Sequence, residues 1–545
     1  MLVCVDLGSG NLRLTVGETG FGSKIKVRYC RSFASDGVAH GKVVNPGKLG
    51  AALGEALSHA EETLGIKIKE VMTCSQKFDI RMVDKEIEDS IDAETSINES
   101  LLGAFEDNVR DSVQNECGAT EEVMDIVVQQ FNTDDEFGMD SESIIGMMGS
   151  RLNAKYKVFV GKTSTSKYID NAFAAYGIGT VRKVFKPQMI GECVLTRAER
   201  ETGVALIDLG AGASSVSVFY SGVLRHYGAI PFGGASITGD ICSLCGIGDS
   251  LAENLKKEYG GCIPEKLESL GEKTLRIKDV ASNERIELTA KYLSEIITAR
   301  TKEIIEALLY EIQKSGYADK LKNGIVLVGG GAAGLNVCNL VKLLSGYNAR
   351  IAGPSRNRFV CDLDSPLVLH LENDFFSTTS ATSAGLLLAA EATGRNFAGS
   401  FLDGPTEEEQ DATVKQDAPA EQKIAAEQDA AAVQDAGEAA SVTGVKEAAA
   451  ETVRQEENHV QKQVAPVQQV PVNAAKQDRK DPEQGNLFDK SVIEETKPDK
   501  SGQRPRKEQR PGKEKKKGLL DTFKATRDIF HGSIFNDDDD PNNQI

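Results

Sequence analysis

The chain of 545 residues contains no tryptophan, and aromatic residues make up only 6% of it, too few for the whole length to pack as one aromatic-rich core. It has no run of 18 consecutive apolar residues, which excludes a hydropathy-type transmembrane helix but leaves an interfacial helix open. The start, MLVCVDLGSG, offers no basic leader and places Asp6 where a signal peptide needs apolar residues, so export by that route is not expected. Ten cysteines are scattered from Cys4 to Cys361 without framework spacing, which fits reduced thiols in the cytosol. Cys242-Ser-Leu-Cys245 lacks the second pair of a structural zinc site. Positive charge is also scarce: 63 basic against 82 acidic residues give −19, so coating of nucleic acid is not expected without a local basic patch.

Up to about Leu388, short β-branched runs, glycine turns and helical stretches alternate as in a mixed α/β protein. Beyond Thr393 the pattern changes. Residues 401–457 carry 15 acidic and 4 basic residues amid Ala and Gln, and 458–500 include the Pro- and Gln-rich QVAPVQQVPV. Residues 397–517 are therefore expected to be a disordered linker. Its end, RPRKEQRPGKEKKK at 504–517, holds 8 basic and 2 acidic residues. It runs into GLLDTFKATRDIFHGSIF, where Leu519, Leu520, Phe523, Phe530 and Ile534 recur near helical spacing, with Lys524 and Arg527 able to face headgroups. Residues 518–535 therefore read as an amphipathic helix for a membrane bearing anionic lipid. A nucleic-acid tail is disfavoured because no aromatic platforms interleave the basic residues.

The opening segment reads as strand Leu2–Asp6, a turn through Gly8, Ser9, Gly10 and Asn11, then strand Leu12–Gly17. VALIDLGAGASSVSVFY repeats this design, with strand Val204–Asp208, a turn containing Gly210, Gly212 and Ala213, and strand Ser214–Tyr220. A carboxylate at a strand end followed by small turn residues can aim backbone N–H groups at phosphate and help hold hydrated Mg²⁺. Its recurrence predicts two related halves facing each other across one phosphate-binding cleft. A third signal is an apolar strand, Ile325–Val328, followed by Gly329, Gly330 and Gly331, which allows backbone to approach a ligand closely. There is neither a Walker A sequence nor the strand–helix context of a dinucleotide fingerprint. A short helix in GDSLAENLKKEYG would carry Glu253 and Lys256.

Taken in order, DLGSG, DLGAG, AENLKKEYG and GGGAAGL resemble the nucleotide motifs of the actin, Hsp70 and sugar-kinase superfamily. VMTCSQKFDI, SRLNAKYKVFVGK, RAERETGVALIDLGAG and VLRHYGAIPFGGASITGDI are similar, over residues 1–390, to the FtsA family of bacterial division proteins. The resemblance implies a duplicated, actin-like (ribonuclease H-like) α/β fold. Subdomain 1A would comprise residues 1–80 and 160–195, an SHS2-like 1C insertion 81–159, subdomain 2A residues 196–245 and 323–390, and subdomain 2B residues 246–322. It implies ATP with Mg²⁺: Asp6 and Asp208 around the hydrated metal, Gly8 to Asn11 with Gly210, Gly212 and Ala213 around the phosphates, Glu253 and Lys256 near ribose and base, and Gly329 to Gly331 beneath the nucleoside. It further implies self-association into filaments, binding of the FtsZ C-terminal peptide through 2B, recruitment of downstream division proteins, and a place on the cytoplasmic face of the inner membrane at the division site.

Two departures bear on catalysis. The second turn has Ala211 and Ala213 where the family usually reads glycine and threonine, and Lys186-Pro187 stands near the Glu-Pro pair that orients water in polymer-forming relatives. A lysine cannot supply that anion, so ATP binding with at most weak hydrolysis is expected. The alternatives are a PilM-like pilus adaptor and a sugar-kinase-like enzyme; the latter lacks an evident cleft base for a substrate hydroxyl.

Overall fold

A computed structural model of the chain describes residues 1–91, 96–267, 270–278, 285–362, 368–400 and 493–496. Of the expected linker at 397–517, residues 401–492 and 497–517 lie outside the described residues, as does the expected helix at 518–535.

Two sheets are built to the same plan. In the first, Leu2–Leu7, Asn11–Phe21 and Lys24–Ala34 form an antiparallel meander, and Glu70–Cys74 and then Thr180–Val184 add in parallel on the other side of Leu2–Leu7. In the second, Val204–Leu209, Ser214–Tyr220 and Val223–Ile230 form the meander, and Ile325–Val328 and Ala349–Ile351 add in parallel beside Val204–Leu209. The first strand of each meander is central, with layers on both faces. That is why LVCV and VALIDL read as continuous apolar runs rather than alternating ones. This is the duplicated, actin-like α/β architecture.

Helix ends follow local chemistry. Pro46–Leu64 begins after Asn45, whose side chain accepts from the Lys48 N–H at 3.0 Å, and it ends at Gly65 in the left-handed conformation (φ 64°). Ala290–Lys314 is capped by Thr289 and buries Leu293, Ile297, Ile304, Leu308 and Ile312 along one face against the second sheet's core.

Residues 81–159 are expected as an insertion, and the structure gives them their own sheet. Arg151–Lys162 lies between Arg81–Ser90 and Glu121–Asn132, and helix Glu99–Glu116 packs Phe105, Val109 and Val113 on it. Asp125, on the Glu121–Asn132 strand, is mostly buried, and that burial pushes its carboxyl up to about 6. Because the folded-state value exceeds the unfolded one, its contribution to stability is greatest below about pH 4 and is lost as pH rises toward 6. Asp125→Asn is expected to stabilise the protein at pH 7 by up to about 2 kcal/mol and to have little effect near pH 4. Urea melts at the two pH values would check this; equal shifts at both would contradict it.

Three boundaries differ from the sequence expectation. The resemblance puts residues 323–390 together in 2A, but Phe359–Cys361 pairs with Lys24–Ala34 of the first sheet. Helix Ala381–Ala392 likewise packs its leucines into the first core. The helix lies close against Lys186–Val194: a Cβ on Gly385 would stand 2.9 Å from the Met189 carbonyl oxygen. Its sequence is largely apolar with no single apolar face, which marks it as buried but not which half buries it. Second, the packed body runs past 396, because Ala398–Ser400 pairs with Ile66–Ile68 and the Phe397 N–H donates to the Met1 carbonyl. Phe397 itself is fully buried, so apolar burial holds the end of the body in place. Third, within the expected linker, the backbone of Ile493–Thr496 pairs with the edge of Thr274–Lys278. The β-branched ends of that four-residue run suit a strand, and an unpaired sheet edge can accept one.

Candidate nucleotide cleft

The two expected turns have the same geometry. A Cβ on Gly8 would lie 2.6 Å from the Asn11 carbonyl oxygen, and one on Gly210 would lie 2.5 Å from that of Ala213. In both hairpins the chain folds its own carbonyl over the position two residues after the aspartate, which leaves no room for a side chain there. The turns meet: Gly10 lies against Ala211, and Gly212 lies against Ser9 and the backbone of His40. The 40–41 loop joins them, with the Gly41 N–H donating to Ser9 Oγ at 3.0 Å. His40 Nδ1 stands 3.2 Å from the Gly212 carbonyl oxygen and 2.9 Å from that of Pro231. Both neighbours are acceptors, so Nδ1 carries the proton.

Behind the turns lies a cavity of about 170 Å³ lined by both hairpins, by Val328, Gly329 and Gly330, and by Thr378 and Thr379. Gly329 has a positive φ of 87°, and a Cβ there would stand 2.5 Å from Asp208 Oδ1. Its N–H donates to the Thr378 carbonyl and its carbonyl accepts from Thr378 Oγ1, each at 3.0 Å, so the glycine strand exit is tied to the segment before helix Ala381–Ala392.

The cavity wall is charged by five side chains: Asp6, Arg13, Lys77, Lys186 and Asp208. Lys77 Nζ donates to the carbonyls of Asp208 (3.0 Å) and Ala213 (3.1 Å) and stands 2.8 Å from Asp208 Oδ2. Lys186 Nζ lies 3.4 Å from Asp208 Oδ2 and 3.8 Å from Asp6 Oδ1. Burial works against the Asp208 carboxylate, but the two ammonium groups outweigh it and hold its pKa well below the carboxylate range. Burial likewise opposes the Lys186 charge, and Asp6 with Asp208 overcome it, raising that pKa above an ordinary lysine's. Lys77 is pushed down by burial to about 8.

Of the residues singled out by sequence, the structure brings Asp6, Gly8, Ser9, Gly10, Asn11, Asp208, Gly210, Gly212, Ala213, Gly329 and Gly330 into one lining. Gly331, Glu253 and Lys256 are not part of it. Gly331 lies against Leu209. Lys256 Nζ reaches Glu253 Oε2 (2.5 Å), Thr238 Oγ1 (2.8 Å) and the Gly234 carbonyl (2.8 Å), beside the helix that follows the second hairpin. Sequence reasoning missed Lys77, Arg13, Thr378 and Thr379. A lysine three residues after the buried strand Glu70–Cys74 is the signal that could have marked Lys77, since a cation so close to a core strand needs a partner.

The family profile described as "Cell division protein FtsA" matches residues 205–512. The cell division protein FtsA of Neisseria meningitidis is 28% identical over 331 residues, covering 60% of this chain and 77% of that one. That of Bacillus subtilis is 26% identical over 358 residues, covering 65% and 79%. Among solved structures, the PilM–PilN type IV pilus biogenesis complex aligns with a TM-score of 0.49 at 15% identity, over 71% of this chain and 98% of that one. With more than half of its length matched by that profile, the chain belongs to the FtsA family of cell division proteins.

Proposed function

We propose that this protein binds ATP in the cleft between its two halves, tethers FtsZ polymers to the cytoplasmic face of the membrane at the division site, and recruits later division proteins. The observation that carries the nucleotide part is the meeting of two like-built glycine turns over one cavity, each turn following an aspartate. Backbone N–H groups in such turns suit phosphate oxygens, and Gly329 and Gly330 line the same cavity. The adenine base, the FtsZ peptide on residues 246–322 and filament formation through self-association come from family membership.

Turnover is a separate matter. The acids in the cavity lining, Asp6 and Asp208, both face Lys186. Asp208 is held by both Lys77 and Lys186 and is poorly suited to take a proton from an attacking water or a sugar hydroxyl, which argues against a kinase reading. Phosphate release from ATP is therefore expected to stay near the uncatalysed level, and turnover on the order of 1 s⁻¹, as in working kinases, would contradict this.

Among the described residues no helix is long and apolar enough to cross a membrane. Membrane attachment is assigned to residues 518–535 from their sequence, with Leu519, Leu520, Phe523, Phe530 and Ile534 buried in the bilayer interface and Lys524 and Arg527 at anionic headgroups. The basic run before them adds on the order of 1 kcal/mol per lysine or arginine near such a surface. Fluorescently tagged full-length chain is expected to form midcell bands in dividing cells, and removal of residues 518–545 to disperse them. Diffuse full-length signal would refute the division-site role; bands that survive the deletion would refute the anchor.

A further inference from the structure

The family reading brings a divalent cation with the nucleotide, held through water by Asp6 and Asp208. The residues present do not fit that ion. Mg²⁺ demands an octahedral shell of oxygens and keeps several of its waters. Here the space between the two carboxylates is taken by the ammonium of Lys186, and the second oxygen-rich approach to Asp208 is taken by Lys77. Two carboxylates already face two ammonium groups, and Arg13 makes the charged lining net positive. A dication entering this space would stand within a few ångströms of like charge. An anion would not.

Lys186 is also poorly placed to swing away. It is the first residue of helix Lys186–Val194, followed directly by Pro187, which fixes the chain entering that turn. Its side chain is only 15% exposed. Pro187, Met189 and Ile190 of the same helix are buried, so the backbone that carries the lysine is part of the core.

We propose that the cleft takes its nucleotide without a divalent cation, Lys186 serving as the fixed counter-cation between Asp6 and Asp208. The proposal rests on the nucleotide reading given above. A lysine in this role supplies charge to the phosphates but none of the metal-bound water or the open coordination positions that phosphoryl transfer uses. Nucleotide would then act by holding the two halves together, and its presence would not depend on the Mg²⁺ level.

The test is a calorimetric titration of ATP into the full chain in Mg²⁺ and, separately, in EDTA. The expected result is saturable binding in both, with dissociation constants that agree within about threefold, a difference of under 1 kcal/mol. Lys186→Glu, which places a carboxylate between Asp6 and Asp208, should weaken binding in EDTA by about tenfold or more and regain it with Mg²⁺. Lys186→Gln, which adds no negative charge, should show a smaller loss in EDTA that Mg²⁺ likewise restores, and guards against misfolding of the glutamate variant. Binding of ATP to the unaltered chain only when Mg²⁺ is present would overturn the cation-free proposal while leaving the nucleotide reading intact. No binding in either buffer would overturn both.

Discussion

Replacement of Lys77 by methionine should cost roughly 3–5 kcal/mol of stability, because it leaves a buried carboxylate short of its nearest partner. Lys77 is 6% exposed and Asp208 8% exposed, and their side chains meet at 2.8 Å inside the seam between the two sheets. Methionine keeps the unbranched stem, so packing is largely preserved and the loss is electrostatic. The same change removes donors to the carbonyls of Asp208 and Ala213. For a body of this size the melting temperature should fall by about 5 °C. The double variant Lys77→Met with Asp208→Asn should recover much of the loss, since it removes the stranded charge together with its partner. A single variant that melts within about 1 °C of the unaltered chain would show that Lys186 alone satisfies Asp208.

The second large effect concerns the closure of the cleft. Gly212→Ala should weaken ATP binding roughly tenfold to hundredfold while leaving each half folded. The added methyl would meet Ser9 Cβ and Oγ at 2.7 Å and the His40 backbone nitrogen at 2.9 Å, so the two hairpins must move apart. Gly212 has no left-handed backbone, so the penalty comes from contact between the halves and not from local strain. Ser9→Gly in the same chain removes one side of that contact and should restore part of the affinity. ATP titrations of the three chains would check this, and unchanged affinity for Gly212→Ala would mean the hairpins do not grip the ligand together.

Much of this site could be read from the sequence because it is local. A carboxylate at the end of an apolar strand, a glycine two residues on and a second strand form a pattern within one stretch of chain, and its recurrence at Asp6 and Asp208 gave the duplication. Lys186 was visible as a departure from the family pattern but not as an ion bridging both aspartates, since that depends on how helix Lys186–Val194 is set against the seam. Lys77 was legible only as a cation beside a core strand, without its partner, and Thr378 not at all. Each reaches the cleft through a long-range contact: a strand that adds in parallel beside Leu2–Leu7, and a return of the chain to the first core after Ala349–Ile351. The resemblance puts Glu253 and Lys256 near ribose and base; in the structure they pair with each other and with Thr238. The return of helix Ala381–Ala392 to the first half was hidden for the same reason as Thr378: a largely apolar helix announces burial but not its partner.

The cleft reading is tested most directly by hydrogen exchange of the full chain with and without saturating ATP. The account predicts slower exchange at the backbone amides of both turns, residues 8–11 and 210–213, together with Gly329 and Gly330, because all of them line the same cavity. Protection confined to one hairpin, or to neither, would contradict a nucleotide held between the two halves.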